Sequence, residues 1–385
     1  MTKDTYCTLP FIHSHASVNG TFKPCCNAEG RDQPSTTNKY TLASWFEGTE
    51  MQQLRQDLLD GVRNPMCGRC WRDEDRAGSS IRFRMNEKYA HLADTNKPAI
   101  KYLDLKLSNE CNLQCRMCDQ TQSHLINKDI ELIKASNDTV PTNWAGSTIP
   151  GYMNKIKPEQ YSALLKLIPH IKVLKVTGGE PTIQPEVLEL FDECIKQGVA
   201  KDIKLNITTN GTKFTRRFLD KISVFQEVRF NISVDGYGPT YEYIRYPFKW
   251  HKFTQRQNEL NGYKDVFKWS YTCVPQMYNI ENLHKLQQYC ESMNSTLYMN
   301  NILHPDGIFN SLDIVPNHIL QYAIDNIKLN DDSKILINYL NQMVTQDKRE
   351  TESRLANMYA MVISVDKVRK QCYNQYLEPL TVAFI

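Results

Sequence analysis

Cys111, Cys115 and Cys118 stand at intervals of four and three in CNLQCRMCD, directly after the apolar run IKYLDLKLS. A cubane iron-sulfur cluster normally takes four cysteine ligands, so three in one loop leave one iron open to another ligand. The alternative is a zinc loop, although zinc sites usually pair two CxxC knuckles. A second group lies upstream, at Cys7, Cys25, Cys26, Cys67 and Cys70. The chain has 12 cysteines, and its first residues, MTKDTYCTLP, show no secretory h-region, a combination that points to metal or redox chemistry over a disulfide framework. Cys194, Cys273, Cys290 and Cys372 sit in apolar surroundings and read as small buried hydrophobes.

Something must hold these thiols in place, and a chain of 385 residues with 41% hydrophobic and 23% charged residues is long enough for a large core. With 46 basic residues against 43 acidic ones, charge indicates no nucleic-acid or membrane partner. The basic stretch TKFTRRFLDK reads as a helix with Phe214, Phe218, Leu219 and Ile222 inward and its arginines in water. No apolar run is long enough to span a bilayer, and a cytoplasmic location is expected. From about residue 100, six candidate strands alternate with helical patterns: IKYLDLKLS, KVLKVTGGE, IKLNITTNG, EVRFNISVDG, FKWSYTCVP and STLYMNNILH. Pro185 opens a helix whose Val187, Leu188, Phe191 and Ile195 recur at helical spacing until Gly198. Distinctive polar residues fall at the C-terminal ends of successive strands, where closed barrels carry their active sites. The expected fold is therefore α/β, an incomplete (β/α)6 TIM-type barrel with a small N-terminal cysteine-rich metal-cluster domain and a helical C-terminal segment. A flat doubly wound sheet is the alternative.

The expected spans are 1–98 for the cysteine-rich domain with its connecting helix, 99–305 for the partial barrel and 306–385 for the helical extension. In the first, Met51, Leu54 and Leu58 form a helical stripe ending near Gly61, and residues 71–99 read as a connecting helix. The segment SNDTVPTNWAGSTIPGYMNKIKPEQY is too long for an ordinary connection and reads as a lid, a substrate loop or a surface insertion. ILINYLNQMV is the clearest helix of the extension.

The strand-end motifs, taken with the CxxxCxxC loop, resemble those of the radical S-adenosylmethionine (radical SAM) enzymes over about residues 100–305. Gly178, Gly179, Glu180 and Pro181 look like that family's GGE motif, in which glycines let the backbone approach and Glu180 accepts from the cofactor's ammonium. The resemblance further implies that Thr209 and Asn210 approach the cofactor and that Ser233 and Asp235 approach the ribose. It would pair Arg245 with the methionine carboxylate and set Val274 and Asn301 against the adenine. A plain turn or cap is the alternative for Asn210 and Asp235. Met117 stands where many members carry an aromatic residue, and still offers a polarizable contact. The resemblance implies that Cys111, Cys115 and Cys118 hold a 4Fe-4S cluster, with S-adenosylmethionine on its open iron. One electron from the reduced cluster would then break the sulfonium bond and give a 5'-deoxyadenosyl radical.

The segment from Cys7 to Cys26, followed by MCGRCW, resembles the auxiliary-cluster modules called SPASM and twitch domains. Gly20 and Cys25 match their Gx4C spacing, Cys67 and Cys70 supply a knuckle, and Cys7 completes four metal ligands, with Cys26 competing for the place of Cys25. A full SPASM module binds two auxiliary clusters and needs more cysteines than are present, so one auxiliary 4Fe-4S cluster is expected; a four-cysteine zinc knuckle is the alternative. The module usually follows the barrel, whereas here it precedes it. His13 and His15 are alternative ligands or surface polar residues. The expected function is that of a radical SAM oxidoreductase acting on a peptide or protein, served by an electron donor such as a flavodoxin or ferredoxin. Alternatives are a dehydrogenase of a small sugar or nucleotide, and a non-enzymatic iron-sulfur electron carrier or sensor.

Overall fold

The structure is a computed structural model and describes residues 4–18, 21–29, 41–140, 144, 155–299, 312–345 and 352–385. Its compact units are Met1–Asn109 with Asn154–Ile207 and Asp220–Arg229, and Glu110–Met153 with Thr208–Leu219 and Phe230–Ile385. Each is α/β with parallel strand pairing.

The six expected strands all form, as β3 (Tyr102–Lys106), β4 (Val173–Thr177), β5 (Lys204–Thr209), β6 (Glu227–Ser233), β7 (Phe267–Thr272) and β8 (Leu297–Tyr298). Two more precede them in the chain, β1 (His13–Ala16) and β2 (Phe22–Lys23). In the first unit β2 pairs antiparallel with β1, β1 is parallel to β3, and β4 and β5 continue the parallel run. The segment HSHA has no strand-forming pattern of its own; it becomes a strand because the edge of β3 offers it a row of backbone partners. The cysteine-rich N-terminal region thus extends the sheet of its unit. It is also more helical than its sequence suggests, with Leu42–Phe46, Thr49–Asp60, Gly68–Ala77 and Ile81–Tyr89.

Met51, Leu54 and Leu58 are fully buried, and Gly61 closes their helix in the left-handed conformation, as its lack of a Cβ permits. The expected single connecting helix is two, broken where Gly78 adopts φ +67° and Ser80 caps the second. The helix after β4 runs Pro185–Lys196 and buries Val187, Leu190, Phe191 and Cys194, an i, i+3, i+4, i+7 stripe that leaves Leu188 and Ile195 at its flanks.

In the second unit β7 and β8 are parallel, and Val234, just past β6, donates its N–H to Thr272 O at 2.9 Å. Helix Lys334–Val344 buries Leu336, Ile337, Leu340 and Met343. The long C-terminal helix, Glu352–Arg369, packs against Ile126–Ala135. Phe214, Phe218, Leu219 and Ile222 are buried while Arg216 and Arg217 are exposed, as expected of that basic stretch. Among the described residues no helix is long and apolar enough to cross a membrane.

Candidate functional site

The three-cysteine loop belongs to the second unit. Cys111 and Cys115 are buried around Leu113, with Met117, Cys118 and Phe248 packed against them. Two backbone bonds, Gln114 N–H to Tyr246 O at 2.7 Å and Arg116 N–H to Ile244 O at 2.9 Å, fasten the loop to the segment after helix Pro239–Ile244. Leu113 N–H points at Cys111 Sγ at 3.4 Å, and Ser123 Oγ donates to Leu113 O at 2.6 Å. Cys118 donates to Cys115, which holds the Cys115 thiol below its usual range against the burial that opposes it, and Arg245 and Arg369 reinforce the lowering. The same shared proton, with burial, holds Cys118 well above that range. A thiol pair already sharing one proton in a cationic setting is suited to becoming metal-bound thiolates.

Five expected cofactor contacts, Asp235, Arg245, Val274, Asn210 and Thr209, are bonded within the protein. Asp235 is fully buried and pairs with Arg245, Nε donating at 2.7 Å and Nη2 at 2.5 Å, while its other oxygen accepts from Val274 N–H at 2.7 Å. Burial alone would lower the Arg245 pKa, but Asp235 and Cys115 outweigh it and raise the value. Asn210 Oδ1 accepts from Thr212 N–H at 3.0 Å and Thr212 Oγ1 at 2.6 Å, a turn, yet its Nδ2 reaches Asn112 Oδ1 at 2.9 Å and lies 3.9 Å from Cys111 Sγ. Turn and cluster-loop contact are both real for this residue. Thr209 Oγ1 accepts from Gly211 N–H at 3.0 Å, and Ser233 is half-buried at the end of β6. Asn301 and Gly20 lie outside the described residues, as do 141–143 and 145–154 of the long insertion.

In the first unit Gly178 has φ +129°, and a Cβ there would stand 2.7 Å from Ser108 O; Gly179 N–H donates to that same oxygen at 3.1 Å. Only glycine fits so close an approach. Glu180 is fully buried and caps the turn Pro181–Ile183, accepting from Thr182 N–H at 3.0 Å and Thr182 Oγ1 at 2.7 Å.

Cys7, Cys25, Cys67 and Cys70 line one cavity of about 390 Å³, counting the solvent at its mouth, with Pro24, Met66, Ile81 and Arg82. Cys26 is exposed and does not line it. Among the described residues no three His, Cys, Asp or Glu side chains converge as ligands of a single ion do; these cysteines surround a space instead. Burial pushes the Cys7 and Cys67 thiols up to about 12, and raises Cys25 and Cys70 as well; neighbouring cysteines of the set add to this at Cys7, Cys25 and Cys67, and Glu74 and Asp73 at Cys70. Arg82 counters this at Cys7 and Cys67; it is held by Glu74 at 2.9 and 2.7 Å and donates to Tyr6 O at 2.7 Å. Burial thus keeps these four thiols protonated in the absence of metal; metal would bind them only as thiolates.

The sequence reading missed a polar row in the first unit. His15, Asp104, Lys175 and Asn206 are in register across β1, β3, β4 and β5. Lys175 Nζ donates to Asp104 at 2.9 Å, His15 Nδ1 lies 3.5 Å from it, and His13, 2% exposed and so not a surface residue, bonds Pro24 O at 2.8 Å. Alternation with apolar Leu103 and Leu105 was the available signal. It also missed Arg116 and Trp144, whose Nε1 donates to Cys118 O at 2.9 Å. Cys194, Cys273 and Cys290 are buried as expected, but Cys372 is exposed.

Residues 105–289 match the family model of the Radical SAM superfamily. A probable GTP 3',8-cyclase of Methanocaldococcus jannaschii is 27% identical over 206 residues, 51% of this chain and 57% of its own length. The tungsten-containing aldehyde ferredoxin oxidoreductase cofactor-modifying protein of Pyrococcus furiosus is 26% identical over 131 residues, 32% of this chain and 28% of its own. The chain therefore spans little more than half the length of the first of these relatives and less of the second. The crystal structure of Streptococcus suis SuiB bound to precursor peptide SuiA aligns with a TM-score of 0.37 and 14% identity, covering 87% of this chain and 69% of that one. The matched residues include all three cysteines of the loop as well as the GGE sequence. Residues 105–289, a little under half of the chain, thus resemble the Radical SAM superfamily.

Proposed function

We propose that this chain is a radical SAM oxidoreductase that cleaves S-adenosylmethionine reductively and oxidises a peptide or protein substrate, using a second, auxiliary 4Fe-4S cluster. The observation that carries the reading is the pair of cysteine sets: a three-thiol loop in one unit and a four-thiol cavity in the other. Cys111, Cys115 and Cys118 would hold the first cluster, and Cys7, Cys25, Cys67 and Cys70 the second, Cys26 being turned to solvent. When bound, cluster and cofactor supply a one-electron cleavage that generates a hydrogen-abstracting radical. The chain's own part would be to hold the cluster through the three thiols, with apolar Met117 and Phe248 packed against their loop, and to set charge around them through Arg245. Residues 99–305 are read as the partial barrel of such enzymes and 1–98 as a twitch-like region. An outside reductant of the flavodoxin or ferredoxin type would feed the loop cluster.

A second reading is a nucleotide substrate. It is favoured by the relatives named as GTP 3',8-cyclases, of which the Arabidopsis thaliana mitochondrial protein is another, 27% identical over 139 residues.

The test uses anaerobically reconstituted full-length protein with dithionite and S-adenosylmethionine. The proposal expects about eight irons per chain, as two 4Fe-4S clusters, and release of 5'-deoxyadenosine. Copurifying molecules identified by mass spectrometry, and GTP in parallel, then serve as candidate substrates. A peptide that loses hydrogens supports the first reading, and consumption of GTP the second. About four irons with stoichiometric zinc would establish a zinc knuckle on the N-terminal cysteines. Cleavage that persists when all three loop cysteines are alanine would overturn the enzyme assignment.

A further inference from the structure

The C-terminal extension carried no motif, yet two of its charges are buried against the three-cysteine loop. Arg116, between Cys115 and Cys118, is fully buried. Its Nε donates to Tyr243 O at 3.1 Å, its guanidinium lies over the Tyr243 ring at 3.5 Å, and its Nη2 pairs with Asp366 and donates to Gln371 Oε1 at 3.1 Å. The second oxygen of Asp366 accepts from Tyr373 N–H at 2.9 Å. One turn along the same helix, Arg369 pairs with Asp129 at 2.6 Å, on the helix that follows the loop. The Arg369 guanidinium stands 5.1 Å from the Tyr246 ring and 6.0 Å from that of Trp144, the residue bonded to Cys118 O.

The charges are crossed. The loop offers a cation to the C-terminal helix and the following helix offers it an anion, while the C-terminal helix answers with Asp366 and Arg369. Met358, Met361, Val362 and Val365 are fully buried, so apolar packing already docks that helix. Desolvated ion pairs add little net stability to such packing, since burying the charges costs about what the attraction returns. Their contribution is register. A slide of one turn would bring Arg369 toward the place of Asp366, cation against cation at Arg116, so only one position of the helix satisfies both pairs.

We propose that Asp366 and Arg369 are positioning residues for the three-cysteine loop: the C-terminal helix fixes the backbone around Cys115 and Cys118 so that the cluster is retained and its open iron accepts S-adenosylmethionine. This rests on the reading that Cys111, Cys115 and Cys118 hold that cluster.

The experiment compares reconstituted wild type, Asp366→Asn, Asp366→Glu and Glu378→Gln. Glu378 tethers the same extension to Asn282 and Lys285, at 2.7 Å each, away from the loop. Two readouts apply: the change that S-adenosylmethionine induces in the electron paramagnetic resonance of the reduced protein, which only a cluster with an open iron gives, and iron retention against a chelator. Asp366→Asn is expected to lose the cofactor-induced change and to hold loop iron roughly tenfold or more less tightly, as removal of outer-shell partners typically does. Glu378→Gln matches wild type, and Asp366→Glu recovers part of the signal. If Asp366→Asn fails to fold, Arg116→Leu with Asp366→Leu removes both charges without leaving an unpaired one, and the same loss is expected of it. A folded variant of either kind with a wild-type cofactor response and wild-type chelator resistance overturns the proposal. A wild-type protein with no cofactor response overturns instead the reading on which it rests.

Discussion

The two cysteine sets of this chain, one in a loop and one around a cavity, are built oppositely. The loop set is local: Cys111, Cys115 and Cys118 fall within eight residues, and Cys118 already shares its proton with a Cys115 held below the usual thiol range. The cavity set is assembled from Cys7, Cys25 and the Cys67–Cys70 knuckle, and burial pushes all four thiols upward. A local set borrows its ordering from hydrogen bonds that hold without metal. A dispersed, buried set of neutral thiols has its four segments drawn together chiefly when metal replaces the protons.

The largest effect that would break this contrast is on chemistry. Alanine at any one of Cys111, Cys115 and Cys118 abolishes 5'-deoxyadenosine release, measured chromatographically, because three ligands leave none to spare. Cys67→Ala with Cys70→Ala, if folded, is expected to keep that release and lose the oxidised product, since on the proposed function the four-cysteine cluster would have no open iron and would accept the electron. Full product formation by a folded variant lacking the second cluster would make the cavity structural only. The same pair of substitutions lowers the melting temperature clearly, whereas Cys115→Ala lowers it little; equal shifts in the two would erase the distinction between a metal-ordered and a protein-ordered set.

A smaller effect concerns the polar row beside the cavity set. Burial would raise the Asp104 carboxyl, but Lys175, with the His13 and His15 rings beside it, holds it well below 3.8. Asp104→Asn leaves the half-buried Lys175 without its anion and costs about 1–2 kcal/mol in urea unfolding at neutral pH. A carboxylate depressed in the folded state contributes stability that is complete above its unfolded value, near 4, and is lost as pH falls through the folded one. The gap between wild type and Asp104→Asn therefore closes only in strong acid; closing between pH 5 and 7 would contradict the assignment. The smallest effect separates two glycines. Gly178→Ala, at φ +129° and against Ser108 O, costs about 2–3 kcal/mol, and Gly78→Ala, at φ +67° with nothing within 4 Å, about 1 kcal/mol.

Much of the fold was legible because its signals are short-range. Each expected strand from β3 to β8 shows its apolar run, and the Met51, Leu54, Leu58 stripe announces its helix by period alone. The strand β1 was not legible, since His13–Ala16 carries no strand pattern and is strand only because β3 pairs with it. The strand-end residues were legible as positions but not as partners: Asp235 and Arg245 appear as two candidate cofactor contacts in sequence and as one buried ion pair in space.

The sequence by itself determined which thiols could share an iron-sulfur cluster in the loop, because a ligand set within eight residues is governed by backbone spacing. It likewise determined the alternation of strands and helices, a matter of local hydrophobic period. Only the tertiary structure decided that Cys25 and not Cys26 faces the cavity, since adjacent residues differ in the direction their side chains take. Only it joined Arg116 to Asp366 across 250 residues of chain, for a buried charge chooses its partner by desolvation and reach in space, and neither leaves a period in the sequence.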